Sequence, residues 1–269
     1  MRTTVFASIA AGALLAVGVG APALAVEPGK ADLSVLHGVP GLTVDVYVNG
    51  ELTLDDFTPG TLAGPLSLDP GTYSVALTAS DAADDSAPVL GPIDLPLEAD
   101  MSYTAVAHLD AAGSPTATLF TNDITATASG EGRLTVRHVA AAPAVDILAD
   151  GTAVFTSLEN PDEAMAGVPA ATYSAAVALA GTTEPVLGPV DVEIMEGVNT
   201  IVYAWGSAED DSLAVAVQTV EAEMGAPSEV QAGTAGLVAE RGTPVGLLAA
   251  AIVALVAAAL ATRMALARR

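Results

Sequence analysis

Two histidine–aspartate pairs are the residues of this chain whose types and spacing could do chemistry. His37 precedes Asp45, and His138 precedes Asp146 at the same interval. An imidazole beside a carboxylate can serve as a general base with its orienter, or as half of a metal site. Against this, no Ser, Cys or Lys nucleophile recurs beside either pair, and one His with one Asp is too few ligands for zinc. A fold-determining contact, unlike an active site, must be present in both copies of a duplicated unit. The stronger reading is therefore structural: each His ends a first strand and hydrogen-bonds to backbone, or to the Asp that opens the next. No catalytic, cofactor-binding or metal-ligating residue is expected, and no cofactor.

Two further groups invite a binding reading. Asp84-Asp85 and Glu209-Asp210-Asp211 are acid clusters in expected loops, where calcium finds oxygen ligands. Neither has the spaced Asp-x-Asp-x-Asp-Gly pattern, so both read as solvated turns, with weak cation binding through overall charge left open. Tyr203 and Trp205 share one strand face and could form a platform for a glycan. The competing and favoured reading of that pair is a core seam of the second unit.

The elements that position these residues come in two copies. The segment His37 to Gly50 recurs as His138 to Gly151, Thr72-Tyr73-Ser74 as Thr172-Tyr173-Ser174, and Pro88 to Asp94 as Pro185 to Asp191. The landmarks keep their order at offsets of 97 to 101 residues, which marks a duplication. The units run over residues 31–122 and 132–222, joined by a Thr/Ala/Ser/Gly stretch at 123–131 that reads as a linker. In the first unit, Leu33 to Leu36, Thr43 to Val48, Glu51 to Phe57, Thr72 to Thr78, Val89 to Leu97, Tyr103 to Leu109 and Thr116 to Phe120 are short strand-like runs between Gly, Pro, Asn and Asp. Asn49-Gly50 and Asp150-Gly151 are two-residue hairpin turns. About seven short strands per unit without helical periodicity predict two tandem immunoglobulin-like β-sandwiches, with a small barrel as the alternative.

Several of these segments carry a family likeness. Val35 to Pro40 with Val44 to Gly50 resembles an uncharacterised bacterial family, domain of unknown function family 4397. Ala107-His108-Leu109-Asp110, Asn160-Pro161-Asp162-Glu163 and Asn199 to Ser207 are similar to its two-copy, membrane-anchored actinobacterial type. The second copy departs in having Ile147-Leu148-Ala149 for the usual Val-Tyr-Val, and Ala170-Ala171 where Ala-Gly is commoner. The resemblance implies a β-sandwich surface protein and supplies no activity.

The ends suggest a compartment. Arg2, the apolar run Phe6 to Val19 and the small-x-small site Ala23-Leu24-Ala25 read as a secretory signal peptide over residues 1–25. A stalk over 223–244 precedes an uncharged run at 245–262, near the lower length for a transmembrane helix. The Arg-bearing tail, 263–269, places the C-terminus in the cytoplasm and the β domains outside the cell. The expected partners are the membrane, through that helix, and cell-wall or surface proteins.

The 269 residues hold 32 Asp and Glu against 8 Lys and Arg, and no cysteine. Such a charge excludes nucleic acid as a default partner, because phosphate binding needs clustered Lys and Arg. The sequence thus points to a non-enzymatic surface protein with a structural or interaction role, the alternative being a module that binds wall glycan or a divalent cation. The first unit has 13 acids and no Lys or Arg of its own, so like charges repel within it. The melting temperature of the exported fragment should therefore rise from low to moderate salt; a flat or falling temperature contradicts this.

Overall fold

Strands form here because β-branched and aromatic residues alternate with small or polar ones between turn-forming Gly, Pro, Asn and Asp. The computed structural model describes residues 26–223, and among them there is no helix. The expected signal peptide, transmembrane helix and basic tail lie outside the described residues, as does the expected stalk from residue 224 onward.

The first repeat has eight strands: β1 (Ala31–Gly38), β2 (Val44–Val48), β3 (Glu51–Phe57), β4 (Leu62–Leu68), β5 (Gly71–Ala79), β6 (Leu90–Leu97), β7 (Met101–Leu109) and β8 (Pro115–Asn122). They form two sheets, ordered β4-β1-β7-β8 and β3-β2-β5-β6. The second repeat runs β9 (Glu131–Ala141), β10 (Val145–Ala149), β11 (Thr152–Leu158), β12 (Glu163–Pro169), β13 (Ala171–Leu179), β14 (Pro185–Ile194), β15 (Val198–Ser207) and β16 (Ala214–Glu221). Its sheets, β12-β9-β15-β16 and β11-β10-β13-β14, repeat the order strand for strand. The first strand of each repeat pairs with the seventh in parallel, β1 with β7 and β9 with β15.

Sequence patterning predicts seven strands per unit and misses β4. That strand contains Gly64-Pro65, a pair that reads as a breaker. It is tolerated because β4 is an edge strand, where a residue without an N–H costs no ladder bond on its open side. Gly64 also sits where the register with β1 shifts, at φ +98°, and a Cβ there would lie 2.7 Å from the Leu33 carbonyl oxygen. Glycine is required at that point.

The repeated landmarks fasten turns. Asn49 and Asp150 take positive φ at the two hairpins, and their side chains accept from the Ser74 and Ser174 amides at 2.9 and 3.0 Å. Tyr73 and Tyr173 reach back four residues, donating to the carbonyls of Asp69 and Pro169 at 2.8 and 3.0 Å.

Within the first repeat the two sheets pack face to face. Leu33, Leu95, Leu97 and Tyr103 fill one half of the space between them, and Val44, Val46, Phe57 and Leu77 the other. Val136, Val145, Ile147, Val177, Val192 and Val202 do the same in the second repeat. A further core lies between the repeats. Leu36, Val106 and Phe120 leave the outer face of β4-β1-β7-β8 and meet Val139, Ile201, Tyr203, Trp205 and Val220 from β12-β9-β15-β16. Alternation along each strand sends odd and even residues to opposite faces. These two sheets are thus covered on both sides, which is why β1, β7, β9 and β15 are buried almost residue by residue.

A polar network crosses this middle core. Arg137, 1% exposed, donates from Nε to Glu163 at 2.9 Å and from Nη1 to Asn122 Oδ1 at 3.0 Å and Tyr203 OH at 2.8 Å. Its guanidinium lies 4.3 Å from the Phe120 ring centroid and 5.4 Å from that of Tyr203. Tyr203 donates onward to Gln218 at 2.6 Å, and Thr104 of the first repeat donates to the same Gln218 oxygen at 3.0 Å. Asn160 adds a second tie, giving its amide hydrogens to Leu109 and Ala140, one carbonyl in each repeat. Breaking a buried ion pair costs about 3–5 kcal/mol. Arg137→Ala should fall toward the lower end in denaturant unfolding, because Glu163 keeps 29% of its side chain exposed; a loss below about 1 kcal/mol would contradict this role.

Candidate functional site

The β1–β2 corner and the β2–β3 pair place the first His and Asp. His37, at the end of β1 and 1% exposed, gives its Nε2 proton to the Leu42 carbonyl at 2.7 Å and stacks on Phe57 with ring centroids 5.8 Å apart. His138 does the same to the Pro143 carbonyl at 3.1 Å. In both, Nδ1 is buried without a partner. Each histidine therefore closes the turn between its strand and the next.

Asp45 and Asp146 face a different task. Opposite Asp45 the register slips, so that Asp55 and Asp56 of β3 together oppose one residue of β2. Asp56 takes φ +52°, and its amide donates to Asp45 Oδ1 at 2.9 Å. The second repeat has the same bulge at Thr156-Ser157, with Ser157 at φ +57° and its amide 2.8 Å from Asp146 Oδ1. Asp146 Oδ2 additionally accepts from the Gly181 amide at 2.8 Å. A bulge frees a backbone N–H from its ladder, and a carboxylate from the neighbouring strand satisfies it. In neither repeat do His and Asp hydrogen-bond to each other, so the contact that a base and its orienter need is not made.

Tyr203 and Trp205 do not form an exposed platform. They are 0% and 9% exposed, and they lie in the core between the repeats rather than in a seam inside the second one. Trp205 fills a notch lined by first-repeat glycines: a Cβ on Gly38 would lie 3.4 Å from the Trp205 Cβ, and one on Gly60 2.8 Å from its Cζ2. The acid loops are turns. Asp84 is held below the usual carboxyl range by the Ser86 hydroxyl and then by the Ser86 amide, which donates to it at 3.0 Å, and Ser207 accepts from the Asp210 amide. A cavity of about 30 Å³ lies between the sheets of the second repeat. It is lined by apolar core residues, including Ala175 where the first repeat has Val75.

The structure also gathers residues that sequence reasoning passed over. Carboxylate oxygens of Asp45, Asp55 and Asp56 come within 4.8 Å of one another, with Asp45 buried and the other two exposed. The available signal was two consecutive aspartates inside a strand, where alternation would send one of them into the core. Arg137 was likewise legible only as an arginine among apolar strand residues.

Residues 31–148 match the model of a known family, Domain of unknown function (DUF4397). This stretch belongs to the DUF4397 family. No curated protein matches the chain. The DUF4397 match begins with β1, covers the first repeat and continues through β9 to Leu148 in β10. It therefore contains both His–Asp pairs and both partners of the Arg137–Asn122 bond, whereas Tyr203 and Trp205 lie beyond it.

Burial pushes the imidazoles of His37, His108 and His138 below their ordinary range, partly offset by hydrogen bonds to backbone carbonyls. The unfolded chain then takes up protons first, near pH 6.5, so stability is full above that pH and declines as pH falls below it. The melting temperature should drop between pH 7 and pH ~5.5, a window in which ordinary carboxylates stay ionised. An unchanged melting temperature across that window contradicts the assignment.

Proposed function

We propose that the chain is an exported cell-surface protein, anchored by one C-terminal helix, with a non-enzymatic structural or interaction role. In this reading two immunoglobulin-like sandwiches are presented outside the cell as one acidic body. The observation that carries it is where the polar and aromatic side chains go. Among the described residues, Tyr203, Trp205, Phe120 and the one buried arginine are spent on joining the repeats, and the His–Asp pairs on turns and bulges. The described residues contain 30 acids and three basic side chains. All three of the latter are in ion pairs, with Asp69, Asp123 and Glu163. The exterior therefore keeps a large surplus of negative charge, suited to solubility and to repelling other polyanions.

The signal-like start, the apolar run at 245–262 and the Arg-bearing tail support export and anchoring. As for the alternative of a ligand-binding module, the burial of Tyr203 and Trp205 removes the aromatic strip on which a glycan reading rested. The Asp45 cluster favours the cation branch of that alternative.

Fractionation of cells expressing the full chain tests the reading. The full-length protein should sediment with membranes and be trimmed by protease added to intact cells, and a chain ending at Glu240 should be released to the medium. Soluble full-length protein retaining Met1 and shielded from the protease would overturn it.

A further inference from the structure

The two repeats build the same bulge and furnish it differently. In the second, Asp146 has both carboxylate oxygens occupied by backbone amides, from Ser157 and Gly181. Its cross-strand neighbour on β13 is Ala178. Among the described residues, Asp45 of the first repeat accepts one backbone hydrogen bond, from Asp56. Where the second repeat has Thr156, Ser157 and Ala178, the first has Asp55, Asp56 and Thr78.

Thr78 is directly opposite Asp45 across the β2–β5 pair, so both side chains stand on one face of the sheet. Thr78 is 0% exposed, and its Oγ1 has no hydrogen-bond partner in the protein. A buried hydroxyl left without a partner is costly, and so is a buried carboxylate facing two others. The first repeat has thus exchanged a donor to its aspartate for two carboxylates and a hydroxyl. Every group added is an oxygen ligand, and among the described residues no Lys or Arg is left to balance them, since Lys30, Arg133 and Arg137 are paired elsewhere.

We propose that Asp45, Asp55 and Asp56, with Thr78 Oγ1, form a calcium site specific to the first repeat. The ligand set is all oxygen, which selects hard divalent cations over zinc or copper. Two of the three carboxylates are exposed, so water completes the six to eight ligands that calcium accepts. Magnesium, which demands a near-ideal octahedron, fits an irregular set from three strands less well. The site goes beyond the surface-protein reading and stands on the first repeat alone.

Calorimetric titration of the full-length protein in detergent, stripped with chelator and titrated with calcium chloride, tests this. One equivalent should bind, with Kd on the order of 10⁻⁴–10⁻³ M as in extracellular modules, and magnesium should bind more weakly. The variants borrow residues that the second repeat already carries at these positions. Asp55→Thr with Asp56→Ser should weaken binding at least tenfold, and Thr78→Ala several-fold. Both variants should melt at or above the wild-type temperature in chelator. Absence of saturable one-equivalent binding overturns the site, as does unchanged affinity in the double variant, which would mark calcium held by overall charge only.

Discussion

The constraint on which the rest of this structure depends is the burial of the Arg137 guanidinium between two sheets. Removing a guanidinium from water is expensive, and it persists only where geometry returns most of that cost. Here a carboxylate, an amide oxygen and a phenol accept its protons, and the faces of Phe120 and Tyr203 cover its planes. Asn122 ends β8 of the first repeat, while Arg137, Glu163 and Tyr203 belong to β9, β12 and β15 of the second. This charged group thus ties the two repeats at one point, beside the Thr104–Gln218 bond, the Asn160 amide and the Trp205 notch.

It follows that the duplication does not produce two independent beads. Each repeat owns one sheet that is buried on both faces. Separated, the first would expose Leu36, Val106 and Phe120, and the second Val139, Ile201, Tyr203, Trp205 and Val220. A patch of that kind on a free domain is an association site. Stacking the two sheets removes both patches at once. The connecting segment is held accordingly: Arg133 pairs with the Asp123 carboxylate at 3.1 Å, and Ile124 packs against the middle core.

Much of this was legible in the sequence. The hairpins at Asn49-Gly50 and Asp150-Gly151 follow from residues that accept positive φ, and the duplicated His, Asp and Tyr landmarks do mark equivalent turns. What was not legible has physical reasons. Edge strand β4 is hidden because its Gly-Pro pair breaks every strand rule except the one for edges. Alternation correctly puts Tyr203 and Trp205 on one face, but periodicity reports that a face is buried and cannot report what buries it. The fixed His–Asp spacing looks like a dyad. It reflects two separate devices, a turn closure and a bulge clamp, that share a strand connection. The clamp itself is invisible until register is known, because a one-residue slip decides whether Asp55 or Asp56 meets Asp45.

The bulge also shows how a repeated fold separates its structural requirements from its chemistry. The clamp needs one carboxylate and one residue that accepts positive φ, and Asp56 and Ser157 both meet the second condition. Nothing in the backbone demands that the neighbours be acidic, since Thr156 and Ala178 serve in the second repeat. Packing and hydrogen bonding therefore account for the Asp45 and Asp146 clamps and for the backbone of residue 56, but they leave the carboxylates of Asp55 and Asp56 and the buried Thr78 hydroxyl without a structural cause. In the second repeat the carboxylate is satisfied by the chain itself. In the first it is surrounded by further acceptors, and acceptors alone cannot satisfy one another. The physical difference between the copies is the partner called for beside the shared bulge amide: a second amide proton in one, a cation in the other.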